Sequence, residues 1–300
     1  MLIRGGRIVT GDGTTLIDQG YVLVRGDTIV EVGPGAGPPH GDDEVVDATS
    51  QLICPGFTNG HAHACVPGPF APVGAVPLPM AEIRANLDRH LLAGETTILN
   101  LCGFCLEDEV ARVRDHPVRV YAATTHTPAC FRTAHLFDGG GLSAAHDACT
   151  VERRLSEGAV AIGEVGSGQV LGGGAQDYRH RRAIQADPKK FVALLAAKVV
   201  DTVSTDYGGG AWEPVVRGLA LAVREKALSV ASAIALATGN VAQRLPELAD
   251  GRGLVTPGKT ADLVCTDPED IGNIQTVIVG GRAVARDGRV LSGRQRQAPV

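Results

Sequence analysis

Hydrophobic positions gather in short β-rich runs at both ends of the chain, with a different texture between them. Residues 2–9, 21–25 and 28–32 are such runs, broken by Gly11-Asp12-Gly13 and Gly26-Asp27. This is the pattern of a meander joined by hairpin turns. The texture returns at 261–265, 276–282 and 289–291, with Gly280-Gly281 as a further turn. A β-run at each end predicts one small β-domain built from both, residues 1–50 together with 254–300. Residues 51–253 form the intervening unit.

Within that unit strands and helices alternate, which reads as βα repeats and an α/β fold. An apolar run containing Leu52 and Ile53 leads through Pro55-Gly56 to a strand ending at His61 and His63. A helix over 80–92 follows, with Ile83, Leu87 and Leu91 on one face and Gly94 as its C-terminal cap. Strands are predicted over 96–101, 118–124 and 159–164, with a helix near 150–157. A helix over 190–198 precedes a strand over 199–205 that ends in Asp206, and 229–245 reads as two helices broken at Gly239-Asn240.

At 300 residues the chain has ample apolar material for one large domain or two smaller ones. A formal charge of -5 without any basic run argues against nucleic acid as a partner. No apolar stretch reaches the roughly 18 residues of a membrane span, and no signal peptide precedes the first strand-like run. The seven cysteines show no disulfide spacing. These features predict a cytoplasmic enzyme acting on a small molecule.

The chemistry centres on three stretches. His61 and His63 lie two apart on a strand, so both project to one face and can converge on a single point. Two neutral imidazoles presented this way suit a borderline metal such as zinc; the alternative is a pair of polar loop residues. Glu164, in Ile162-Gly163-Glu164-Val165-Gly166, is a carboxylate at the end of a buried strand, where it needs a cation or hydrogen-bond donors. Asp206, in Val203-Ser204-Thr205-Asp206-Tyr207-Gly208, again lies just past an apolar run. A helix-capping Glu and a turn Asp are the plainer readings of these two. Together, two imidazoles and two carboxylates at strand ends can hold one or two divalent cations. Such a cation lowers the pKa of water and polarises a carbonyl, and an adjacent aspartate can shuttle the proton. An amide, imide or related C–N bond is the natural target.

His126 follows the strand at 118–124 and is read as substrate-binding. Cys102-x-x-Cys105 has zinc or redox spacing, but with Cys65 and Cys130 it reads better as small buried thiols. Gly166-x-Gly168 and Gly172-Gly173-Gly174 lack a following Lys-Ser/Thr and read as a substrate loop.

Pro55-Gly56-Phe57-Thr58-Asn59-Gly60-His61-Ala62-His63, the Glu164 and Asp206 stretches, and Pro257-Gly258-Lys259-Thr260-Ala261-Asp262-Leu263 resemble in combination the amidohydrolase superfamily. Gly163-Glu164-Val165-Gly166 is similar to its enamidase-like members. The resemblance implies a TIM-like (β/α) barrel with a small β-sandwich built from both termini. It implies His61, His63, Glu164 and Asp206 as ligands of one or two zinc ions (iron or manganese as alternatives), with Glu164 bridging two metals. Asp206 would take a proton from the bridging water and pass it to the leaving nitrogen. Cyclic amide hydrolysis is the implied reaction, with deamination as the alternative, and relatives imply a homo-oligomer.

The chain also departs from the family pattern. A (β/α)8 barrel takes roughly 250 residues, about 30 per unit. Here the strand bearing Asp206, the eighth in the family, begins about 35 residues after Glu164. Strands five to seven therefore have no room, and the barrel is expected to be incomplete, with a seam near 183–188. No histidine follows His180, whereas two more would be expected on the absent strands. A deleted, non-enzymatic remnant that binds a partner through exposed barrel edges is the alternative of another class.

Overall fold

The computed structural model describes residues 1–39, 41, 44–68, 77–101, 105–124, 144–162, 188–208 and 212–291. The first three strands, β1 (Leu2–Val9), β2 (Leu16–Arg25) and β3 (Thr28–Pro34), form the expected antiparallel meander, with Leu2 opposite Leu23 and Val22 opposite Val32. β4 (Val45–Asp47) and β5 (Leu52–Pro55) both run parallel to β1. The chain then changes sheets. The Pro55-Gly56 step divides two strands: β5 ends there, and β6 (Phe57–Ala62) starts a second sheet. A side chain on Gly56 would collide with that of Thr96, so this crossing point requires glycine.

The second sheet is parallel and follows chain order: β6, β7 (Glu95–Asn100), β8 (Arg119–Thr124) and β9 (Ala161–Ile162). Helix α1 (Met80–Leu92) links β6 to β7 and buries Ile83, Leu87, His90 and Leu91 on one face. Gly94, at φ +78°, turns the chain from α1 into β7 while its N–H bonds Leu91 O at 2.9 Å. A β-carbon there would lie 3.0 Å from Val264 and 3.2 Å from Phe57. Gly94→Ala is accordingly expected to cost about 1–3 kcal/mol from strain and crowding, read as a lowered urea midpoint with an unchanged m-value.

Short helices α2 (Glu107–Ala111), α3 (Ala144–Asp147) and α4 (Val151–Ser156) punctuate the path to β9. Beyond it come α5 (Pro188–Ala196) and α6 (Val215–Arg224). α6 was not foreseen, although Val215, Val216, Leu219 and Ala222 trace its buried stripe. α7 (Val230–Ala235) is capped by Ser229, whose hydroxyl accepts from Ser232 N, and α8 (Gly239–Arg244) and α9 (Pro246–Ala249) follow. No helix among the described residues is long and apolar enough to cross a membrane.

The strand expected over 199–205 does not form. Its backbone groups bond elsewhere: Val203 N to Leu236 O at 3.2 Å, and Thr205 N to the side chain of Asn59 at 3.4 Å. Asp206 then adopts φ +55°, which breaks the extended run, and among the described residues its segment meets β6 in the parallel bridge between Ala62 and Tyr207. This bridge still places the Asp206 segment against β6, on the side away from β7.

The last strands, β10 (Leu263–Thr266), β11 (Ile274–Val279), β12 (Arg282–Arg286) and β13 (Arg289–Val290), return to the first sheet. β10 pairs antiparallel with β5, giving the order β13-β12-β11-β10-β5-β1-β2-β3 with β4 also on β1. Ile3, Ile8, Ile29, Ile53, Leu263 and Ile278 are fully buried in the core of this sheet.

Candidate metal centre

β6 and the segment after α5 deliver three side chains to one point. His61 Nε2 and His63 Nε2 lie 3.3 Å apart, and each is 3.1 Å from Asp206 Oδ1. Four ligands around zinc at about 2.0–2.1 Å define a tetrahedron with edges of roughly 3.3 Å, so the three donor atoms already have the spacing of one face. The donor set, two imidazoles and a carboxylate, is one that zinc accepts. His63 is buried, while His61 and Asp206 remain partly exposed and leave an approach from solvent.

The backbone is shaped for this convergence. His63 N donates to Tyr207 O at 2.7 Å, which ties the two segments together beside the three side chains. Ala64 and Asp206 both occupy the left-handed region, at φ +58° and +55°. Such conformations cost free energy at a non-glycine residue and concentrate at functional sites. Burial pushes the Asp206 carboxyl up, but hydrogen bonds and charge from His61 and His63 outweigh it and hold the group well below the usual carboxylate range. The anionic form that a ligand requires is thereby favoured.

Behind these three side chains lies a second, fully buried polar group that the sequence reading passed over. Glu95 Oε2 accepts from His90 Nδ1 at 2.5 Å and from Asn59 Nδ2 at 3.2 Å, and its Oε1 accepts from Val215 N at 2.5 Å. The His90 ring packs on Tyr207 with centroids 4.1 Å apart, and its Nε2 is 3.5 Å from Cys65 Sγ. Burial opposes the charged imidazole, but Cys65 and Glu95 prevail and raise His90 to about 10. A sequence signal for this group exists. Asn59 shares the strand face of His61 and His63, and His90 falls on the apolar stripe of α1.

Of the residues singled out in the sequence, His61, His63 and Asp206 are brought together. Glu164 and His126 lie outside the described residues, as do Cys102, Cys130 and the glycine clusters after Val165. Cys65 and Cys105 are both buried.

No family model matches the chain. Adenine deaminase 3 of Rhizobium meliloti is 24% identical over 359 residues, covering 96% of this chain and 58% of the relative. The match is longer than the 300 residues available here, so part of the relative inside it has no counterpart in this chain. The chain spans less than two thirds of that relative. Among solved structures, enamidase, described as a member of the amidohydrolase superfamily, superposes with a TM-score of 0.64 at 17% identity, covering 98% of both chains. Atrazine chlorohydrolase from Arthrobacter aurescens TC1, solved with zinc, gives 0.59 at 15% identity over 98% of this chain and 97% of its own. At these identities the superpositions speak for the fold alone, which is the one these amidohydrolase-superfamily structures share.

Proposed function

We propose that the protein is a metal-dependent hydrolase of non-peptide carbon–nitrogen bonds. The observation that carries the reading is the convergence of His61 Nε2, His63 Nε2 and Asp206 Oδ1 at 3.1–3.3 Å. These residues would hold a divalent cation, zinc in the first instance, with Glu164 as a further ligand. When bound, such a cation supplies Lewis acidity and brings water within reach of deprotonation near neutral pH.

The chain's own groups supply the rest. The imidazoles of His61 and His63 face Asp206 Oδ1. In this reading the other oxygen, Oδ2, takes the proton from the attacking water and returns it to the leaving nitrogen. The backbone bond of His63 to Tyr207 ties the end of β6 to the segment that carries Asp206, which favours a preorganised pair. His126 is assigned to the substrate.

A ring amide is the first choice of substrate, supported by the likeness to enamidase and by Gly163-Glu164-Val165-Gly166. Release of an amino group is the second reading, supported by the Rhizobium relative's name. The architecture proposed alongside is a composite β-sandwich of 1–50 and 254–300 beside a barrel of 51–253 that lacks strands five to seven. The four ordered parallel strands, the Asp206 segment across β6 and the length of the match to the relative all support it.

The test is a panel of cyclic amides, imides and aminopurines assayed with chelated and zinc-reloaded protein. Turnover that vanishes with the chelator and returns with zinc is the expected outcome. Ammonia among the products would select deamination, and ring opening without ammonia the cyclic amidase. Protein that binds zinc but turns over no member of the panel would favour the remnant that binds a partner.

A further inference from the structure

The two segments that supply the proposed metal ligands share one backbone bridge, Ala62 to Tyr207, and a carboxamide also spans the gap between them. Asn59 is fully buried on β6, two residues before His61. Its Oδ1 accepts from His61 N at 3.3 Å and from Thr205 N at 3.4 Å. Its Nδ2 donates to Thr205 Oγ1 at 2.8 Å and to Glu95 Oε2 at 3.2 Å. A carboxylate can only accept, so Glu95 settles which end of the amide faces it. The oxygen end is thereby turned toward the backbone of one ligand, His61, and of Thr205, the residue preceding another, Asp206. Glu95 is in turn pinned by His90 and by the N-terminal N–H of α6.

We infer that Asn59 is the positioning residue of the His61–His63–Asp206 centre, its carboxamide setting the gap between the two chain segments that carry the ligands. The inference rests on the metal reading above. Aspartate would not serve in its place, because it would set a second anion against Glu95 in a site closed to water. Exchanging the two groups, carboxylate at 59 and carboxamide at 95, would keep a donor facing an acceptor, with His90 neutral and its Nδ1 accepting from the new amide.

The experiment measures zinc affinity by competition with a chromogenic chelator and the ligand-field absorption of the cobalt-substituted protein. Neither readout depends on turnover. Asn59→Ala is expected to weaken zinc binding by about 10–100-fold, the usual effect of losing an outer-shell partner, and to alter the cobalt spectrum. Asn59→Asp is expected to weaken it similarly, and N59D/E95Q to recover most of the loss. A general loss of stability would not give that recovery. Wild-type affinity and spectrum in Asn59→Ala, or a double variant no tighter than N59D, would overturn the inference. If Asn59→Ala does not fold, Thr205→Val removes the 2.8 Å contact alone: weakened zinc binding supports the inference and unchanged binding overturns it. Wild-type protein that takes up no zinc would instead overturn the metal reading, and the inference with it.

Discussion

Asp206→Asn is expected to lower turnover by about 10²–10⁴-fold while leaving much of the metal bound. The substitution keeps the shape of the side chain and one oxygen at the Oδ1 position, 3.1 Å from both imidazoles. What it removes is the anion, and with it the ability to accept a proton. The carboxyl is held well below the usual range in the folded protein, so it is ionised throughout the neutral region and ready to act there. Metal content by mass spectrometry, measured alongside the rate, separates the two roles. Loss of rate with metal retained identifies a base, and loss of both identifies a ligand only. Activity that survives the change would remove Asp206 from the chemistry.

Glu95→Leu is expected to destabilise the fold by about 3–5 kcal/mol, the usual penalty for removing one partner of a buried pair. It strands three donors at once: His90 Nδ1, Asn59 Nδ2 and Val215 N. The pH dependence should change as well. His90 is raised from 6.5 to about 10 in the folded state, so its contribution is fully present below pH 6.5 and is lost as pH rises through 10. Wild-type stability should therefore decline across that window. In Glu95→Leu, where an acceptor of the imidazolium is gone, the decline should flatten. Urea midpoints collected between about pH 6 and about pH 10 for both proteins test this. Parallel curves for wild type and variant would show that the pair is not the source of the slope.

Both predictions concern groups of unequal legibility. The pair His61 and His63 could be read directly, because strand geometry alone sends residues two apart to one face. The helix at Met80–Leu92 and its glycine cap were equally plain, since the apolar spacing and the left-handed residue are local signals. Asp206 does reach the two histidines, but not by the route expected. It was expected at the end of a strand, yet the residues before it make no ladder and bond instead to Leu236 O and Asn59. Such long-range partners leave no periodic trace. The same is true of Glu95, which sits at the start of β7 where a short polar-containing run gives no hint of an imidazole, an amide and a helix end meeting it. The division at Pro55-Gly56 was legible, but not that β5 and β6 join different sheets, because a Pro-Gly step marks a break without naming which sheet lies on either side.

That division has a consequence for synthesis. β5 lies in the interior of the first sheet, with β1 along one edge and β10 along the other. Emerging from the ribosome, the chain can build β1 to β5 early, but the far edge of β5 stays open until residues beyond Asp262 have been made. For that interval Leu52, Ile53 and Cys54, all buried in the finished protein, border an unpaired backbone edge of the kind that recruits other chains. The vulnerable period of this protein is thus written into the order of its strands, and it ends when the C-terminal strands close over the N-terminal ones.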